Sequence, residues 1–231
     1  MTLRIGTSGY SYPAWRGRFF PAGFPSSRML SFYAERFPTV EINNSFYRMP
    51  KKDQLARWGK QVPPDFVFAV KAPRRITHQK QLVGCGADLR ALFKAASVLG
   101  PQLGPVLFQL PPFLERDLAR LRRFLSLLPE GHPAAFEFRN PSWFDADVYQ
   151  VLRERSVALC AADTDQLRAK LISTADWGYV RLRRSHYGKA ALKTWSRRIQ
   201  ELWPTAYVYF KHEDEAKGPR FASELMRRRI S

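Results

Sequence analysis

The stretch TVEINNSFYRMP, residues 39–50, decides how this chain is built. Side chains alternate along a strand, so Val40 and Ile42 share one face while Glu41 and Asn43 share the other. A buried strand with one apolar and one polar face borders something other than an oily layer. If several strands share this pattern, they describe a polar pocket.

Seven further runs rich in β-branched and aromatic residues recur along the chain. They are LRIGT (3–7), FVFAVK (66–71), PVLFQL (105–110), AAFEFR (134–139), VALCAA (157–162), YVRLR (179–183) and AYVYF (206–210), which with TVEIN (39–43) make eight candidate strands. Helical periodicity fills most of the gaps. Leu89, Leu92, Phe93, Ala96 and Leu99 form one stripe that Gly100 stops, and Leu118, Leu121, Leu125 and Leu128 form another. Asp145 reads as an N-cap before Val148, Val151 and Leu152, and Leu192, Trp195, Ile199 and Leu202 make a later stripe. Residues 163–177 allow only a short helix or irregular turn, and the basic MRRR at 226–229 reads as a solvated helix end.

Strand alternating with helix predicts a parallel sheet covered by helices, and eight repeats favour closure into a (β/α)8 TIM-type barrel over an open doubly wound sheet. No linker or composition shift divides the chain, so a single domain over 1–231 is expected. In a barrel the outward face packs against helices, and the polar partners must line the inside. Glu137 and Arg139 alternate with Phe136 and Phe138, Arg181 and Arg183 with Val180 and Leu182, and Tyr207, Tyr209 and Lys211 with Val208 and Phe210. Ser8, Lys71, Gln109 and Asp163 add polar groups at strand ends. All crowd toward the C-terminal mouth, where barrel enzymes carry their chemistry.

Composition narrows the partners. The 38 Lys and Arg against 20 Asp and Glu give a formal charge of +18, which attracts polyanions and phosphate-bearing ligands. No apolar run approaches the roughly 18 residues of a membrane span, and MTLRIGTSGYSY lacks the apolar core of a signal peptide, so a cytoplasmic protein with no membrane partner is expected. Cys85 and Cys160 lack metal-ligand spacing and read as reduced structural thiols.

The assembled motifs resemble the YecE-like family, known as domain of unknown function 72. The matching stretches are GTSGYSYPAWRGRFFP (6–21), VEINNSFYRMP (40–50), FVFAVKAPRRITH (66–78), GPVLFQLPP (104–112), FEFRNPSWF (136–144), DWGYVRLR (176–183) and YVYFKHEDE (207–215). The resemblance implies a TIM barrel and brings no established activity. It implies a shared site among Glu41, Asn43, Asn44, Lys71, Thr77, His78, Gln109, Glu137, Arg139, Asn140 and Trp143. The chain looks short for that family and departs from its pattern at RLRRSHYG (181–188), where a His-Gly ending is common.

Four chemistries compete for the mouth. Glu41 and Glu137 could act as the acid and base of a glycosidase. Glu41, Glu137, Asp163 and His212 could hold a divalent metal for phosphoester hydrolysis. Lys71 could form a Schiff base, against the plainer reading of a lysine paired with Glu41. The fourth reading needs no catalysis: Lys71, Arg74, Arg75, Arg139, Arg181 and Lys211 bind a phosphorylated small molecule or nucleic acid, while Tyr10, Trp15 and Trp143 stack on it. With Ser8, Asn43, Asn44, His78, Gln109, Asn140, Asp163 and His212 as further contacts, a phosphate-bearing ligand is the expectation, with Glu41, Glu137 and Lys71 the candidate catalytic groups.

Overall fold

A computed structural model describes residues 2–228, and all eight predicted segments form strands of one closed parallel barrel in chain order. The path runs β1 (Thr2–Ser8), α1 (Met29–Ala34), β2 (Thr39–Ile42), α2 (Asn44–Tyr47), α3 (Lys52–Gly59), β3 (Val67–Lys71), α4 (Gly86–Ala96) and β4 (Leu103–Gln109). It continues through α5 (Leu118–Leu125), β5 (Ala134–Glu137), α6 (Ala146–Arg153), β6 (Ala158–Asp163), β7 (Trp177–Leu182), α7 (Lys189–Leu202), β8 (Thr205–Phe210) and α8 (Lys217–Met226). No helix among the described residues is long and apolar enough to cross a membrane.

Local chemistry explains the boundaries. The Asp145 carboxylate accepts from the Asp147 amide at 3.0 Å, and Asp117 caps α5 by accepting from Arg120 N at 2.8 Å. Each satisfies an amide that the first helical turn leaves without an intrahelical partner. Gly100 takes φ +51° in the turn after α4, a backbone conformation that residues bearing a Cβ rarely adopt. The crossover 164–176 carries no helix. Thr174 pins it to the barrel instead, accepting from Leu159 N at 2.8 Å and donating to Val157 O at 2.7 Å. Arg227 is exposed just beyond α8, as expected for the MRRR run, of which Arg229 lies outside the described residues.

Two apolar layers result. Between strands and helices lie large side chains such as Ile5, Val40, Phe68, Phe108, Phe136, Val180 and Val208. Inside the barrel, Ala69, Leu107, Ala135, Ala158 and Cys160 face the rings of Tyr179 and Tyr209. Small residues on β3, β5 and β6 thus make room for two tyrosines reaching across from β7 and β8. Cys85 and Cys160 are both free and buried.

Ladder pairing between β1 and β2 is confined to Thr7 with Val40 and Ser8 with Glu41. Beside it the Tyr33 hydroxyl stands in for a ladder bond: it accepts from Thr7 N at 2.8 Å and donates to Thr39 O at 3.0 Å. Gly6 makes this possible, since a Cβ there would lie 2.1 Å from the Thr39 carbonyl oxygen.

Candidate functional site

At the C-terminal end of the barrel the inward faces of six strands turn polar together. Register decides who meets whom. Ser8 lies beside Glu41, and Gln109 beside Glu137. Arg181, from β7, extends across the lumen with 1% exposure and joins the two carboxylates. Its Nη2 donates to Glu41 Oε1 at 2.9 Å and its Nη1 to Glu137 Oε2 at 2.5 Å. Ser8 Oγ and Tyr179 Oη, the latter at 2.7 Å, complete the shell of Glu41. Gln109 Nε2 donates to Glu137 Oε1 at 2.8 Å, and Arg139 Nε reaches the same oxygen at 3.2 Å.

Burial alone would push both carboxyls up, yet Arg181 holds each below the usual carboxylate range, aided by Ser8 and Tyr179 at Glu41 and by Arg139 and Arg183 at Glu137. Both acids are therefore ionised and occupied. A glycosidase needs one carboxyl kept protonated. Neither Glu41 nor Glu137 can serve as that acid in this arrangement.

The donor set also fails to fit a metal. Among the described residues no group of three or more His, Cys, Asp or Glu is placed to share an ion. A guanidinium occupies the space between Glu41 and Glu137. Asp163 falls on the outward parity of β6, where the side chains of Ala158, Cys160 and Ala162 point inward and its own does not. It binds Tyr187 Oη at 3.1 Å and Arg184 Nε at 2.9 Å, apart from the two glutamates. His212 packs edge-on against Phe221, with Nε2 on the Arg184 carbonyl. Metal-assisted hydrolysis through Glu41, Glu137, Asp163 and His212 therefore has no geometry behind it.

Lys71 is not paired with Glu41 either. Glu41 pairs in the sheet with Ala69, which leaves the lysine one layer nearer the rim. Its Nζ donates to Gln109 Oε1 at 2.9 Å and sits 3.8 Å over the Phe46 ring. Burial, then the neighbouring Arg181, brings its amine down to about 7. His78 meets the edge of the same Phe46 ring, centroids 5.0 Å apart, and its Nδ1 bonds Thr77 Oγ1 at 2.9 Å. Burial and then Lys71 and Arg139 hold the imidazole below its ordinary value.

The remaining expected contacts divide. Arg139, Arg183 and Lys211 line the upper mouth, where burial followed by Arg183 and Arg181 pulls Lys211 down. Tyr10, Asn43 and Asn44 gather at a small hollow of about 60 Å³ beside β1 and β2, and the Asn43 amide nitrogen is buried there without a partner. Trp15 and Trp143 are fully buried and offer no face to a guest. Trp15 packs among Tyr12, Phe19 and Phe20. Trp143 stacks on Phe138 at 4.7 Å and donates to Leu114 O. Asn140 is a cap, accepting from Ser142 N and donating to Pro112 O. Tyr179 is the polar contact that sequence reading passed over, although two-residue alternation from Arg181 places it on the inward face.

Space for a guest lies between the ends of β5 and β6. A cavity of about 140 Å³ is bordered by Phe138, Arg139, Cys160, Ala162, Arg168 and Lys170, with three cations and no acid. A wider groove, about 710 Å³, opens at the opposite end beside Leu128, Trp177 and Tyr207. It is open to solvent, far from the convergent charges, and on the face that barrels use for stability.

A family model described as "Protein of unknown function DUF72" matches residues 4–230. The chain is 35% identical over 143 residues to UPF0759 protein YecE of Escherichia coli K12, covering 62% of this chain and 50% of that protein. It is 33% identical over 157 residues to UPF0759 protein YunF of Bacillus subtilis, covering 64% and 54%. The matches thus span about half the length of these curated relatives. A DUF72-family crystal structure from Thermotoga maritima superposes with a TM-score of 0.85 at 24% identity, covering 98% of both chains. One from Enterococcus faecalis gives 0.77 at 19% identity, covering 98% of this chain and 96% of that one, and both likenesses speak to the fold.

Proposed function

This chain belongs to the DUF72 family, and from that premise we propose that its barrel mouth binds a phosphorylated small molecule. One observation carries the reading: Arg181 bridges the two buried carboxylates, and with Arg139, Arg183, Lys71 and Lys211 around them five cations face two acids at this end of the barrel. Lys71 and Lys211 have no ion pair among the described residues, and Arg139 and Arg183 share a single acid, Glu137, with Arg181. Arg168 and Lys170 extend the excess into the cavity beside β5 and β6. Desolvated cations without counter-charges are costly, and a phosphate, with acceptor oxygens for several of them at once, relieves that cost.

The test is calorimetric titration with inorganic phosphate and glycerol 3-phosphate. Arg139→Ala is expected to weaken binding about tenfold to a hundredfold, the usual worth of a hydrogen bond to a charged group. Wild-type affinity absent at millimolar phosphate, or unaltered in Arg139→Ala and Lys211→Ala alike, would overturn the reading.

A second reading, nucleic-acid binding, is favoured by two exposed aromatics, Tyr47 at the end of α2 with 76% exposure and Phe113 in the loop after β4 with 64%, together with the net charge. Salt separates the two: affinity for a single-stranded oligonucleotide falls steeply with added salt when several phosphates are contacted, whereas a single phosphate gives a shallow slope.

A further inference from the structure

We infer that Lys71 is a nucleophilic amine that forms a Schiff base with a phosphorylated aldehyde or ketone held in the mouth. The inference rests on the anion-binding reading above and adds what the site does with the rest of the ligand.

The geometry sets Lys71 apart from the other lysines of the chain. It is 8% exposed, where side chains of its kind ordinarily stand in water. No carboxylate among the described residues comes within ion-pair distance of it, although two lie in the same barrel end, because both are turned toward Arg181. Among the described residues the only hydrogen-bond partner of its Nζ is the neutral amide oxygen of Gln109. That amide cannot turn round, because its nitrogen is committed to Glu137 at 2.8 Å. Gln109 thus orients the amine by accepting one of its hydrogens, and supplies no counter-charge to its ammonium form. Arg181 and Arg139 add like charge, which works with burial to favour the free base near neutrality. A lysine desolvated beside other cations is the arrangement that makes an amine nucleophilic.

Neighbouring groups supply the remaining needs. Phe46 forms an apolar wall beneath Nζ, and His78, on the edge of the same ring, is a titratable group placed to carry a proton between nitrogen and oxygen. The cations of the rim, Arg139 and Arg183 beside Glu137 and Lys211 with no ion pair among the described residues, fix the phosphate and so bring the carbonyl to a defined place. In the reaction the Nζ lone pair forms a C–N bond while the carbonyl π pair moves to oxygen. Loss of that oxygen as water, carrying the two amine hydrogens, breaks the C–O bond and leaves a neutral imine. No oxidant, reductant or further reactant is required.

The experiment treats the full-length protein near neutral pH with glyceraldehyde 3-phosphate and sodium cyanoborohydride, which reduces the imine to a stable secondary amine. Intact mass gives the stoichiometry and peptide mapping gives the lysine modified. Lys71 is expected to be labelled about tenfold or more faster than any other lysine, since ordinary lysines are almost wholly protonated at that pH. Unphosphorylated glyceraldehyde at the same concentration is expected to label Lys71 more slowly. Lys71→Arg, its fold checked by circular dichroism, should lose the fast site and keep the slow background. Label spread evenly over the surface lysines, or equal rates with the two aldehydes, would overturn the inference. Glycerol 3-phosphate, which lacks a carbonyl, separates the two levels of the argument. If it binds while Lys71 is not selectively reduced, the imine falls and the anion site stands; if it does not bind, both fall.

Discussion

Replacing Arg181 by methionine removes the cation that bridges two buried carboxylates, leaving Glu41 with no ion pair among the described residues and Glu137 with only Arg139 and the more distant Arg183. Breaking a buried pair by deleting one partner costs about 3–5 kcal/mol, because an uncompensated charge stays behind. The 1% exposure of Arg181 and the buried positions of Glu41 and Glu137 put this case at the upper end. Against a total stability of about 5–15 kcal/mol, a loss of about 5 kcal/mol is a large fraction of the whole. For a chain of this size it lowers Tm by about 10–20 °C. The pH dependence has a definite sign. In the wild type both carboxyls are depressed, so their contribution is present above the unfolded carboxylate pKa and is lost as pH falls through the folded values. In the variant, burial without Arg181 raises them, so the folded state takes up protons and the deficit grows as pH rises. Urea unfolding at about pH 5 and about pH 8 measures both, with the larger gap between wild type and variant expected at the higher pH. Adding Glu41→Gln and Glu137→Gln to Arg181→Met should restore more than half of the loss, since removing a whole buried ionic group is often near neutral. A deficit below about 1 kcal/mol, the range of exposed pairs, or one indifferent to pH, would refute the account of Arg181 as the bridge.

Lys71→Met should raise Tm, and by more at about pH 6 than at about pH 9, because a lysine depressed to about 7 makes the unfolded state bind more protons between that value and its ordinary pKa, so that wild-type stability climbs over that window; melts at both pH values check it. Trp143→Ala is expected to cost about 3–5 kcal/mol in urea unfolding while Tyr47→Ala stays within about 0.5 kcal/mol, which separates a core aromatic from a surface one. Asp145→Ala should cost about 1 kcal/mol through the lost cap of α6, read from the same denaturation midpoint.

The fold was legible because each strand announced itself twice, through β-branched and aromatic content and through alternation. The site was legible where alternation alone assigns a face: Ser8, Glu41, Lys71, Gln109, Glu137 and Arg181 all turn inward as period two requires. Asp163 joins that set only by its place at a strand end, whereas alternation from Cys160 and Ala162 puts it on the opposite face, where the structure has it. Pairing partners were hidden because they depend on register between strands distant in sequence: nothing local says that Glu41 lies opposite Ala69 and that Lys71 therefore meets Gln109. Trp15 and Trp143 sit in short turns after β1 and β5, and only packing from other elements shows that these turns fold inward over the helices' apolar faces.

The helix-free crossover between β6 and β7 has a mechanical corollary. Everywhere else the wall is buttressed by a regular helix whose hydrogen bonds open cooperatively, whereas residues 164–176 are tied down by scattered side-chain contacts such as those of Thr174 and Asp163. Such segments yield at lower free energy than the strands beside them, so their amides should exchange with deuterium well before those of β6 or β7. Arg168 and Lys170 ride on this compliant flank, so the wall of the cavity between β5 and β6 can change width while the ring of strands stays shut.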